Sequence, residues 1–388
     1  MASFEVVKSD DGFEVEDNFT SATKIMVFGV GGGGGNAVAN MVDSGVCDVD
    51  YVIANTDVGA LRTKDGSKMK RVQIGRKTTR GQGAGNNPAV GQQSAEESRD
   101  EIAGMLEDTS MIFIAAGMGG GTGTGAAPVV ASIAKEKKIL TVGVVTKPFR
   151  FEGAKKMEQA VKGISEMRKY VDALIVIPNE RVNQLSNSRL TVKDGFKAVD
   201  DVLCKAVIGI ITLLKGDGYI NLDFADVCMA LSESGIAHMA IGKGKGDTKI
   251  EDALEEVLHS PLLETSITGA RRGLLNINIP YSFPLEEFDK LTTEIAEKFD
   301  SEARYKSGIV FDETLADDEI SIIAVATDFE EAPENSASAA PAPSAAKPMQ
   351  AVAAAPAAAK PAEGTNGFAN PDDIDVLLRM FNDGRTDG

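Results

Sequence analysis

Three clusters of glycine constrain this chain more than any other feature. They are GVGGGGGN from Gly29 to Asn36, GQGAGN from Gly81 to Asn86, and GMGGGTGTG from Gly117 to Gly125. Consecutive glycines cost backbone entropy that an ordinary turn does not require, so they mark places where main chain must approach something closely. The first cluster follows a β-rich run, KIMVFG at 24–29, and opens a helical stretch. Alone it fits the G-x-G-x-x-G fingerprint of a dinucleotide site, with Asp48 and Asp50 about 20 residues on, where a ribose-binding acid would sit. An NAD- or FAD-dependent oxidoreductase is therefore one reading. The cluster at 117–125 shifts it, because a dinucleotide fold has no need of a second phosphate cradle and a nucleoside polyphosphate does. Convergent N–H groups, a helix N-terminus and the hydroxyls of Thr122 and Thr124 suit phosphate oxygens. The third cluster can close over the distal phosphate. Neither G-x-x-x-x-G-K-[ST] nor an equivalent lysine occurs, so the charge must be met by amides and a divalent ion.

Around these loops, β-rich runs alternate with helical ones. Strands are expected near 24–29, 50–55, 110–117, 140–145 and 173–178, with helices at 36–44, 92–106, 126–137 and 153–169, the pattern of a doubly wound, mostly parallel sheet. Helices are also expected at 195–215 and 224–240. After them GLLNINIPYSF and EISIIAVATDF read as strands, with a helix near 285–300 between, in a second, smaller α/β unit; the boundary should fall near 190–240. From Ala332 to Ala362, 15 of 31 residues are Ala and 6 are Pro, too proline-rich for one helix and too small to make a core, hence a tether. Beyond it, Ile374, Leu377, Leu378 and Phe381 form one apolar stripe on a short helix that would fold against a partner.

Net charge is -18, which excludes a broad nucleic-acid or anionic-membrane footprint. Three scattered cysteines and two histidines make neither a disulfide framework nor a zinc site, and point to a reducing, cytosolic compartment. The N-terminus lacks the basic flank and apolar core of a signal peptide, and no run is long enough to span a bilayer.

GGGTGTG at 119–125, with NTD at 55–57 and NLDFADV at 221–227, resembles the FtsZ family, the bacterial tubulin-like cell-division GTPases. The resemblance covers roughly residues 22–329 and implies a GTPase domain at 22–194, after a flexible segment at 1–21. A central helix and loop at 195–220 and an activation domain at 221–329 would follow, then a linker at 330–371 and a partner-binding peptide at 372–388. It also implies head-to-tail protofilaments, a ring at midcell, and hydrolysis of GTP to GDP with Mg²⁺ held mainly by phosphates and water. A non-catalytic filament protein is the other alternative, against which the intact acids of NLDFADV argue.

Carried over residue by residue, the nucleotide contacts fall on Gly32, Gly33, Gly34, Gly35 and Asn36, on Asp57, and on Gly83, Ala84 and Gly85. They continue on Gly117, Gly119, Gly120, Gly121, Thr122, Gly123, Thr124 and Gly125, with Glu152, Lys156, Phe196 and Asp200 near the ribose and guanine. Two are departures: Asp200 stands where many relatives have Asn, and Lys156 where many have Arg. A carboxylate can accept both guanine N1–H and the exocyclic amine, whereas lysine replaces a bidentate contact by a point charge. Asn221, Asp223 and Asp226 are the catalytic candidates, two acids three residues apart at a helix start, placed to orient water in line with the γ-phosphate. Because this acidic loop lies far from the phosphate loops within one subunit of the family, hydrolysis should depend on assembly. In the terminal peptide, Asp373, Ile374, Asp375, Leu377, Leu378, Arg379 and Phe381 have the order that in relatives binds membrane-tethering and regulatory division proteins. Val376 replaces the usual proline, and neither direct membrane insertion nor nucleic-acid binding is expected. The acidic subunits must associate despite repulsion, so salt and Mg²⁺ should favour assembly.

Overall fold

In a computed structural model of the chain, the described residues are 7–9, 12–14, 23–45, 49–182, 190–215, 220–260, 262, 270–298 and 304–329. A short antiparallel pair, β1 (Val7–Ser9) and β2 (Gly12–Glu14), comes first. Then follow β3 (Ile25–Val30), α1 (Gly31–Asp43), β4 (Val49–Asn55), α2 (Val58–Arg62) and β5 (Lys70–Gln73). The chain continues through α3 (Pro88–Glu97), α4 (Arg99–Met105), β6 (Met111–Gly117), α5 (Thr122–Glu136), β7 (Leu140–Lys147), α6 (Ala154–Met167), β8 (Ala173–Pro178) and α7 (Asn179–Val182). A long helix α8 (Val192–Lys215) leads to α9 (Phe224–Leu231), β9 (Gly235–Lys245), α10 (Lys249–Leu258), β10 (Ala270–Ile279), α11 (Leu285–Lys298), β11 (Arg304–Phe311) and β12 (Glu319–Phe329).

The sheet order is β11-β10-β12-β9-β8-β7-β6-β3-β4-β5, and every pairing from β9 to β5 is parallel. All six residues of β3 are buried, which its unbroken apolar run foretells for a strand covered on both faces. Its side chains alternate between two cores. Ile25 and Val27 join the one that includes α1 and α8, while Met26, Phe28 and Val30 join the one under α4, α5 and α6. The order reverses between β3 and β6, the switch point at which open α/β sheets bind ligands. Both long glycine clusters begin at the carboxyl ends of these two strands.

Two expectations need correction. The helix read at 224–240 stops at Leu231, and Gly235–Lys245 is a strand. Glu233 and Gly235 take φ of 51° and 69°, turning the chain, and the Asp172 carbonyl accepts the N–H groups of Ser234 and Gly235 at 2.9 and 3.0 Å. Ala and Met favour helix locally, but Ala237 and Met239 are drawn into the core beside α8. The second unit is also not a separate sheet. β9 pairs with β8 at Ala173↔Gly235, Leu174↔Ile236 and Ile175↔Ala237, then continues antiparallel to β12. Helices at 36–44, 92–106 and 126–137 begin earlier than expected, and the 92–106 stretch is two helices meeting at Ser98.

α8 has 24 residues, so at 1.5 Å per residue it is ~36 Å long. Val199, Val202, Leu203, Ala206, Val207, Ile210 and Ile211 make a buried stripe at helical spacing. Near its far end the buried Asn276 of β10 donates to the Gly209 carbonyl at 2.8 Å and to Thr212 Oγ1 at 2.9 Å, tying the second unit to the helix.

Candidate functional site

The glycine clusters meet one another. Gly31 has φ +74°, and a Cβ built there would lie 2.9 Å from the Gly123 nitrogen, so the first and second loops touch main chain to main chain. A Cβ on Gly121 would lie 2.8 Å from the Asn87 nitrogen and from Ala84 Cβ, which brings the third loop against the second. The third loop is held from its other side as well: Gly83 N–H donates to the Thr56 carbonyl at 3.2 Å, and Asp57 bridges to Gln82. Asp57 caps α2, accepting the Gly59 N–H at 2.7 Å. The residues carried over from 32–36, 57, 83–85 and 117–125 therefore share one mouth at the switch point. Within it Gly32, Gly33 and Asn36 are exposed, whereas Gly34 and Gly35 are buried.

The two threonines differ. Thr124 is buried and its hydroxyl oxygen accepts Gly119 N–H at 2.8 Å, which shapes the loop from inside. Thr122 Oγ1 lies 2.7 Å from Thr56 Oγ1 at the start of α5. Thr56 is fully buried and is a site residue that sequence reasoning did not single out, although it sits inside the NTD motif.

The 149–156 segment flanks the second loop. A Cβ on Gly119 would lie 2.8 Å from the Lys156 carbonyl oxygen. Glu152 accepts Phe149 N–H at 2.9 Å and the Lys156 ammonium at 3.1 Å, so its carboxylate is engaged and half-buried. Phe149 stacks on Phe151 with centroids 5.0 Å apart, and Phe196 meets Phe149 edge-on at 5.2 Å. The start of α8 thus joins an aromatic cluster, of which Phe151 is 65% and Phe196 41% exposed, faces on which a planar base can stack. One turn on, burial pushes the Asp200 carboxyl up to about 6, against the opposing pull of the Lys64 ammonium. Lys64 also donates to Asn36 Oδ1 at 2.8 Å, linking α8's neighbourhood to the first loop.

Asn221, Asp223 and Asp226 stand at the other end of α8. The Leu222 N–H donates to the Leu213 carbonyl at 3.0 Å, fixing the acidic loop to the last turns of the helix. Asp223 is exposed and caps α9, accepting Asp226 N–H at 2.7 Å. Asp226 pairs with Lys306 at 2.8 Å. So the nucleotide-type residues converge at one end of a helix about 36 Å long and the acids at its other end. His238 meets Phe329 edge-on at 4.7 Å in the second unit. Cys204 and Cys228 are free thiols whose burial raises their pKa, consistent with small apolar packing. Residues 373–381 lie outside the described residues.

A phosphate cradle at the switch point, a base-sized aromatic face beside it, and a long helix leading to a second α/β unit define a tubulin-like nucleotide-binding protein. Residues 24–187 match the Tubulin/FtsZ family GTPase domain, and residues 235–330 the FtsZ family C-terminal domain. The chain is 48% identical over 316 residues to the cell division protein FtsZ of Aquifex aeolicus (strain VF5), across 81% of this chain and 85% of that one. It is 50% identical over 294 residues to the FtsZ of Bartonella bacilliformis, across 75% of this chain and 49% of that one. A solved FtsZ dimer from M. jannaschii superposes with a TM-score of 0.75 at 38% identity, covering 80% of this chain and 89% of that one. The chain belongs to the FtsZ family and carries its GTPase domain.

Proposed function

We propose that this FtsZ-family GTPase, which polymerises into protofilaments for cytokinesis, completes its hydrolytic site only between subunits. The observation that carries the reading is the separation of the two half-sites along α8. The glycine loops of one subunit hold the polyphosphate through backbone N–H groups, and Phe196 and Asp200 take the guanine, Asp200 accepting from N1–H and the exocyclic amine. Glu152 and Lys156 border the ribose. From the next subunit, Asp223 and Asp226, with Asn221 beside them, orient a water in line with the γ-phosphate. The amides, already placed, meet the negative charge that develops there without reorganising.

When bound with the nucleotide, Mg²⁺ would neutralise part of the charge on the phosphates. Phosphate oxygens and water would be its main ligands; among the described residues no group of three or more His, Cys, Asp or Glu side chains is gathered that could hold a metal. Assembly at midcell and docking of division proteins on Asp373–Phe381 complete the reading. Among the described residues no helix is long and apolar enough to cross a membrane.

Mixing two defective subunits tests the shared site. Asp223→Ala should bind GTP yet hydrolyse poorly, and a Gly121→Val chain should fail to bind it. An equal mixture should regain turnover, because one junction in the mixed filament pairs intact loops with intact acids. A mixture as inactive as its parts would contradict the reading.

A further inference from the structure

The acidic loop is held by the edge of the sheet. Ile220 bridges to Ile309 of β11, with Ile309 N–H donating to the Ile220 carbonyl at 3.0 Å. Three residues earlier on the same strand, Lys306 Nζ reaches Asp226 Oδ1 at 2.8 Å. On the adjoining β10, in register Leu274↔Lys306, Arg272 Nη1 donates to the carbonyls of Met229 and Ser232 at 2.8 and 3.2 Å. Helix α9 is therefore clamped at both ends by cations from neighbouring strands, Lys306 on the acid of its first turn and Arg272 on its last carbonyls.

The two acids are engaged differently. Asp223 is exposed and spends one oxygen on the Asp226 N–H, whereas Asp226 is half-buried and its carboxylate is fixed by the ammonium. The Lys306 side chain is 42% exposed, and an ion pair that accessible contributes little to stability. Its consequence is geometric and local: it favours one placement of the Asp226 carboxylate and offsets one of two negative charges on the side where an anionic nucleotide would arrive.

We infer that Lys306 is a positioning residue for hydrolysis, holding the Asp226 carboxylate beside Asp223 for the nucleotide of the neighbouring subunit. This rests on the reading of Asp223 and Asp226 as the acids that orient water. It adds to that reading a basic residue on β11, outside the glycine loops and outside NLDFADV.

The test compares Lys306→Met, Lys306→Arg and Asp226→Asn in the full chain, each measured as GTP turnover per sedimented subunit well above the assembly threshold. Normalising to polymer removes any change in the threshold itself. Lys306→Met should lower this turnover roughly tenfold with little change in unfolding temperature. Lys306→Arg should restore most of it, and Lys306→Met should add nothing in the Asp226→Asn background. Turnover within twofold of the parent, no difference between Met and Arg, or full additivity with Asp226→Asn would overturn the inference. Asp223→Asn run alongside separates the two ideas. Loss there with normal turnover in Lys306→Met removes only the role of Lys306, and normal turnover in Asp223→Asn removes the reading beneath it.

Discussion

At Asp200 burial and a single cation act against each other. Burial disfavours the carboxylate and lifts its pKa to about 6, while Lys64 pulls the other way. An acid whose folded pKa exceeds its unfolded value holds its proton more firmly when folded. Its stability contribution is full at low pH and is lost as pH rises through the folded value. Asp200→Asn removes that titration. The nucleotide-free variant should therefore melt above the parent at pH 7.5, and the difference should shrink below pH 6 and nearly vanish by about pH 4. Thermal unfolding across that range checks it; a pH-independent difference would contradict a carboxylate whose burial outweighs its cation. The position was legible only through the family resemblance. The burial that makes it unusual was not, because it arises from tertiary packing around the start of α8 that sequence spacing does not encode.

Among elements, the glycine clusters were readable because their residue type has few other uses, and their placement after β3 and β6 followed from the apolar runs before them. Less was readable in the second unit. β9 and β11 lack a clean alternating pattern, and GIAHMAIG carries helix-favouring residues that only the pairing with β8 and β12 overrides. The pairing of Lys306 with Asp226 joins residues 80 positions apart through a sheet register that sequence spacing does not encode. The loops themselves separate two duties of glycine. A Cβ on Gly34 would sit 2.1 Å from the Ala115 carbonyl oxygen, so α1 could not lie against β6; on Gly32 it would meet nothing within 4 Å. Gly34→Ala should cost about 2 kcal/mol of unfolding free energy despite alanine's better helix propensity. Gly32→Ala should unfold like the parent in denaturant and lose GTP affinity at least roughly tenfold, since its Cβ would enter the open space that the proposed site gives to phosphate. Equal behaviour of the two variants in both measurements would contradict this division.

For the whole molecule, the continuous sheet and α8 form one frame, and the proposed site places its nucleotide loops at one end of α8 and its acids at the other. A helix of ~36 Å separates the acids from the loops of their own subunit, so the proposed site needs a head-to-tail neighbour to supply them. On that proposal, filament growth and catalysis are one event. Hydrolysis measured as rate per subunit against protein concentration, beside sedimentation of polymer, tests this most directly. The shared site predicts a rate per subunit near zero below the assembly threshold that rises steeply as polymer forms. A rate per subunit that stays constant from far below that threshold to above it would contradict it.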